Sequence, residues 1–322
     1  MRKVLTVLAV WAAGLSAWLA PAPVRAVPPG APNCRVFPAN NVWHADISKL
    51  PVNRHSAAWL RSMSAGSTDL HPDFGPSGGF PYGIPYTVVG DSHPKVRVHF
   101  QYASESDKGP YPFGTDTPIE GGKNATGDRH AIMIDRDTCV LYELYNARYR
   151  TGGRSTAGSG AIWSLNSNKL RPATWTSADA AGLPIFPGLL RIDEVEKRGV
   201  VNHAIRFTAE HTRTQFIWPA RHEAGESNSP NLPPMGARFR LKASFPIGRY
   251  RPDVQVVLRA MKKYGLILAD NGSNWYFQGA AQKGWPIAFL DQLKTIPASA
   301  FVAVNESCLM IRPGSGQARA HC

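Results

Sequence analysis

Apolar and polar residues alternate most strictly over Lys95-Val96-Arg97-Val98-His99-Phe100-Gln101. A period of two predicts a strand with Val96, Val98 and Phe100 on a core and Lys95, Arg97, His99 and Gln101 on the other face. Apolar runs at 130–135 and 139–145, separated by Arg136-Asp137, predict a hairpin. With Asp135 paired to Thr138 across a two-residue turn, His130 stands opposite Glu143. Short strands are also expected at 161–165, 201–208, 214–218 and 236–243. In the last, Ala237, Phe239 and Leu241 alternate with Arg238, Arg240 and Lys242. Segments 266–270 and 275–278, joined through Asn271-Gly272, read as a further hairpin.

The helical period is clearest over 252–264. Pro252 suits the first position, Val254, Val257, Leu258 and Met261 form one stripe, and Gly265 stops the helix. Shorter helices are predicted at 54–63, capped by Asn53, and at 286–294. A third starts at 176–179 and ends at Gly182. Segments 71–94 and 103–127 are rich in Gly and Pro and read as loops. Many short strands with few helices make a mainly β chain of α+β class. A single β-rich domain over 27–322 is expected, built as a two-sheet sandwich.

The first 26 residues carry a different pattern. Arg2 and Lys3 precede an apolar run from Val4 to Leu19, and Val24-Arg25-Ala26 suits a signal peptidase. The run is short for a bilayer span and contains Gly14 and Ser16. Export is therefore expected, with no membrane anchor. Loss of the leader removes Arg2, Lys3 and Arg25 and lowers the formal net charge from +13 to +10. A basic exported protein is biased towards anionic partners such as uronic-acid polysaccharides or teichoic acids. No motif supports nucleic-acid binding. Cys34, Cys139, Cys308 and Cys322 allow three disulfide connectivities, and Cys34–Cys139 with Cys308–Cys322 is the expected one.

Chemistry-bearing motifs are sparse. Gly75-Pro-Ser-Gly-Gly79 matches the pattern of a nucleophile elbow but lacks its strand and helix flanks. His222-Glu223 lacks the second His of a zinc protease, and no Cys-x-x-Cys exists. Asp270-Asn-Gly-Ser-Asn274 has calcium-loop-like oxygens, which a hairpin turn explains equally. No motif identifies a cofactor or a resident metal. His130 beside Glu143, with Asp128 just before the strand, forms the leading catalytic constellation. His203 is a further candidate, although it shares a strand face with Ile205 and Phe207. Arg206 points the other way, as a surface residue. The faces Lys95/Arg97/His99 and Arg238/Arg240/Lys242 would join into a cationic surface if their strands were adjacent.

Nine Trp and ten Tyr add stacking area for sugars. Arg97, Arg206, Trp218, Arg221, Asp270 and Trp275 are the substrate-binding candidates. These features predict a monomeric exported enzyme that cleaves an extracellular polysaccharide or cell-wall glycan, in particular an acidic one. A hydrolase would use Glu143 with Asp128 or Asp270, and a lyase His130 with Arg206. A non-catalytic glycan-binding protein is the second reading. A metal-dependent hydrolase is the third, if His130, His203 and His222 converge.

Overall fold

Alternating apolar residues build two larger sheets in the computed structural model, which describes residues 27–322. Their strands, in chain order, are β1 (His71–Asp73), β2 (Tyr86–Val89), β3 (Ala131–Asp135), β4 (Val140–Tyr145) and β5 (Ser159–Ser164), then β6 (Ile205–Ala209), β7 (Arg238–Leu241), β8 (Leu266–Asn271), β9 (Tyr276–Gln278) and β10 (Phe301–Val304). The four-stranded sheet runs β2-β3-β4-β5, and the six-stranded sheet runs β1-β9-β6-β8-β7-β10. Three two-stranded sheets complete the β structure among the described residues. Strand content of 27 % against 16 % helix settles a β-rich α+β class. The leader expected over 1–26 lies outside the described residues.

Strand parity explains the layering. Ile132, Ile134, Leu141 and Trp163 join one apolar cluster with Ile205, Phe207, Phe239 and Leu268 of the larger sheet. One core therefore serves both sheets. The opposite face of the small sheet presents Ala131, Met133, Tyr142 and Leu144 to a second cluster with Val98, Tyr111 and Phe113. Each fully buried large apolar side chain contributes about 1.5–3 kcal/mol.

The main helices follow the sequence pattern: α1 (Ser56–Ser62), α2 (Pro252–Lys263) and α3 (Ile287–Leu293). Helix α2 buries Val254, Val257, Leu258 and Met261 and packs on β7. Gly265 ends it with φ +71°, and an added Cβ there would lie 2.4 Å from the Phe239 carbonyl oxygen. Both expected disulfides form, Cys34–Cys139 and Cys308–Cys322. Among the described residues no helix is long and apolar enough to cross a membrane.

Four local expectations are overturned. The β3–β4 turn is longer than two residues: Asp135 pairs with Val140, so Ile132, not His130, stands opposite Glu143. Asp135 drives this by accepting the N–H groups of Asp137 and Thr138 through its carboxylate. Strands β8 and β9 do not pair with each other; β6 lies between them, parallel to β8 and antiparallel to β9. The expected helix at 176–182 is an irregular turn. The Gly-Pro segment at 71–94 holds short strands, and Gly75–Ser77 folds back on Phe80–Tyr82 with no elbow and no helix after it.

The condition for a joint cationic sheet surface is not met, because the two strands are not adjacent. Arg238 is fully buried against Glu306, and Arg240 spends its guanidinium on the carbonyls of Ile47, Ser48 and Leu50. The strand predicted at 95–101 contracts to His99–Phe100, which pairs with Thr156–Ala157 in a two-stranded sheet separate from that of β7.

Candidate functional site

The edge of the shared core carries a dense set of charged side chains. Asp270 ends β8, and Arg206 sits on β6 beside it, where the register slips between Phe207 and Thr208. Asp179 comes from the irregular turn. The Ser177 hydroxyl accepts the Asp179 N–H at 2.9 Å, and the Ala181 N–H donates to the Ala269 carbonyl at 2.8 Å, which stitches the turn to β8. Gly182 closes it at φ +65°, where a Cβ would lie 2.4 Å from the Trp175 carbonyl oxygen.

Arg206 is 2 % exposed and grips Asp179 through both carboxylate oxygens, at 3.0 and 2.6 Å. Its second Nη2 contact reaches Asp270 at 3.5 Å. One guanidinium thus serves two carboxyl groups that are also hydrogen-bond neighbours of each other. Burial and the Asp179 charge push the Asp270 carboxyl well above the ordinary carboxylate range, against the opposing pull of Arg206. Both residues line one cavity, with the Asp179 side chain fully buried and the Asp270 side chain 22 % exposed.

That cavity has a volume of about 390 Å³. Tyr102, Tyr145, Glu105, Asp128 and His222 form much of its wall around Asp270. A neighbouring cavity of about 660 Å³ shares Ala224, Asp270 and Asn271 with it and adds Glu210, His211 and Glu226. The two make one cleft over the end of β8. Carboxylates line it throughout, and no Lys or Arg does. The buried Asn271 Oδ1 has no hydrogen-bond partner.

His130 lies just inside the wall. Its Nδ1 is 2.6 Å from the Glu120 carboxylate and its Nε2 is 3.1 Å from the Ala178 carbonyl. Glu120 in turn accepts the His130 N–H, and the Glu120 N–H donates to the His130 carbonyl. Burial lowers the imidazole pKa, but the Glu120 charge and hydrogen bond outweigh it and lift His130 to about 9. An imidazolium therefore donates from both nitrogens and braces the turn that carries Asp179. No family model, no curated protein and no solved structure matches this chain.

The candidates read from sequence separate on this geometry. Asp128 and Asp270 line the cleft, and His130 and Arg206 lie directly beneath it. Arg206 is a buried ion-pair partner, not a surface residue. Glu143 is fully buried and accepts the Ile185 and Phe186 N–H groups at 2.8–3.0 Å. Burial raises its pKa to about 7 against those bonds. His203 belongs to another buried network, with Nε2 3.2 Å from Glu194, which also pairs with Arg191. His130, His203 and His222 do not converge, and among the described residues no group of three ligand-type side chains is placed to hold a metal.

Trp275, Trp218 and Arg221 are spent on structure. Trp275 is fully buried among Phe207, Phe239 and Phe301, at 5.6 Å from each ring. Trp218 donates to the Ser315 carbonyl, and Arg221 to those of Arg171 and Pro313. Arg97 lines a separate cavity with His99 and Lys108. Sequence reasoning missed Asp179, Glu120 and Glu105. Only Asp179 left a signal: Ser177-x-Asp179 is the chemistry of a helix cap, and here it makes a turn instead.

Proposed function

We propose that the protein is an exported glycoside hydrolase acting on an uncharged extracellular polysaccharide or cell-wall glycan, with Asp270 as its general acid. The observation that carries this reading is the Asp179–Arg206–Asp270 unit, where burial and the Asp179 charge push the Asp270 carboxyl well above the ordinary carboxylate range at the floor of an open cleft. Glycosidic cleavage needs such an acid and a second carboxylate. Asp270 gives its proton to the leaving oxygen as the anomeric C–O bond breaks. A water molecule adds its oxygen to the anomeric carbon and passes its proton to an ionised carboxylate of the wall, Asp128 or Glu105. Tyr102 and Tyr145 offer ring faces to the C–H faces of pyranose units.

Charge sets the substrate class. A cleft lined by carboxylates repels uronates, so the acidic glycan favoured by the basic net charge fits the cleft poorly. A lyase also requires a cation free to neutralise a uronate, and Arg206 is already committed to two carboxyl groups. Two disulfides and the leader-like start support export. The test is incubation with a panel of neutral and acidic polysaccharides. New reducing ends from a neutral member, lost in Asp270→Asn, are expected. Absorbance from an unsaturated product would identify a lyase, and binding without product would leave a glycan-binding protein.

A further inference from the structure

A cavity of about 360 Å³ beside the small sheet has the opposite character to the cleft. Lys123, Arg129, Arg148 and Arg150 line it, with no carboxylate among its lining residues. Among the described residues, none of the four takes part in an ion pair.

Arg129 makes the cavity more than a group of surface charges. It is only 4 % exposed, and its guanidinium is fixed by backbone carbonyls alone. Nε and Nη2 donate to Ala147, at 3.2 and 3.0 Å, and Nη1 donates to Lys123 and Ala125, at 2.9 and 2.8 Å. Those carbonyls orient the group without cancelling its charge. Burial, and then the nearby Arg148, push the Arg129 pKa down, as expected of a cation lacking a counter-charge. A buried charge without a partner is costly, and an anion entering the cavity relieves that cost. Arg97 and Lys108 line a second cavity that also has no carboxylate in its lining.

We infer that the cavity of Arg129, Arg148, Arg150 and Lys123 is a binding site for an oxyanion group carried by an anionic extracellular glycan, separate from the acidic cleft. Guanidinium forks match sulfate, phosphate and carboxylate alike, so the shared chemistry is the oxyanion. A sulfate ester, a phosphodiester and a uronate are its three sources. The basic cavity would hold the protein on a polyanionic surface while the cleft takes an uncharged chain.

The test uses the full chain and titration calorimetry with three polymers: a sulfated glycan, a glycerol-phosphate polymer and a polyuronate. Inorganic sulfate and phosphate are run alone, and duplex DNA serves as a generic polyanion. At least one glycan polymer should bind, more weakly at high salt. The exposed pair Arg148→Gln/Arg150→Gln should lower that affinity about tenfold. The pair Arg35→Gln/Arg61→Gln, exposed elsewhere, should leave it unchanged. Equal loss from both pairs, equal affinity for DNA, or binding of inorganic anions without any glycan polymer would overturn the inference. Cleavage is scored separately on the same variants. Its absence bears on the cleft reading and not on this site.

Discussion

In the proposed reaction the Asp270 carboxyl is the general acid, and its properties come from two neighbours. Asp179 raises its pKa by charge and by a shared hydrogen bond, and Arg206 holds the pair together. Removing the neighbouring charge in Asp179→Asn should lower the pKa of Asp270 and move the alkaline fall of the pH–rate profile to lower pH, a shift that a merely structural residue would not cause. Arg206→Ala strands the buried Asp179 carboxylate and should cost about 3–5 kcal/mol in urea unfolding. Its fold change should exceed that of Arg206→Lys, which keeps a charge. His130 supplies a stability signature. The folded protein holds the imidazole proton up to about 9, while an unfolded chain releases it near 6.5. Its stabilisation is therefore whole below pH 6.5 and lost as pH rises through 9. Parallel urea titrations at pH 6 and pH 9.5 should show a smaller difference for His130→Gln than for the parent. A chain pattern reveals which face Arg206 occupies but not what covers that face, so its burial was illegible. Asp270 was legible as a candidate because a carboxylate at the end of an apolar strand must emerge near the surface. Glu120 sits in an irregular segment and Glu105 in a three-residue 3-10 turn, Ala103–Glu105, both too short of pattern for periodicity to place a side chain.

Helical periodicity was readable, whereas the strict alternation over 95–101 left only His99–Phe100 as a strand. Helix α2 declares its cap, stripe and stop within one short window, and the structure keeps all three. The β3–β4 hairpin was readable as a pair but not in register, because Asp135 captures two backbone N–H groups and lengthens the turn. A slip of two residues preserves face parity, so Glu143 stays on the core side. The β8–β9 hairpin fails for a different reason. Asn271-Gly272 satisfies a turn, yet β6 enters from more than fifty residues earlier in sequence and takes the inner edge of both strands. Non-local pairing of this kind leaves no trace in a local pattern. The turn at 176–182 decides the site, since it alone delivers Asp179. Gly182→Ala introduces both a left-handed backbone penalty and a clash with the Trp175 carbonyl oxygen. It should destabilise the chain by about 1–3 kcal/mol by chemical denaturation and reduce any cleavage activity with it.

At the scale of the molecule, an acidic cleft and a basic cavity divide what composition reports as one positive balance. Net charge alone pointed to an acidic substrate; the distribution of charge supports the two proposals, an anion at one site and an uncharged chain at the other. The disulfides act at the same scale. Cys34–Cys139 spans 105 residues and joins the N-terminal segment to β4, whereas Cys308–Cys322 spans 14 near the C-terminus. Loop entropy gives the longer link about 4–5 kcal/mol and the shorter about 3. Paired Cys→Ser replacements should follow that order in urea unfolding. The most direct test of the proposed chemistry is the rate of reducing-end release from a neutral polysaccharide by the parent and by Asp270→Asn, with matched unfolding curves. A loss of a hundredfold or more in a folded variant is expected. Cleavage by Asp270→Asn within a few-fold of the parent rate would contradict the assignment of Asp270 as the general acid.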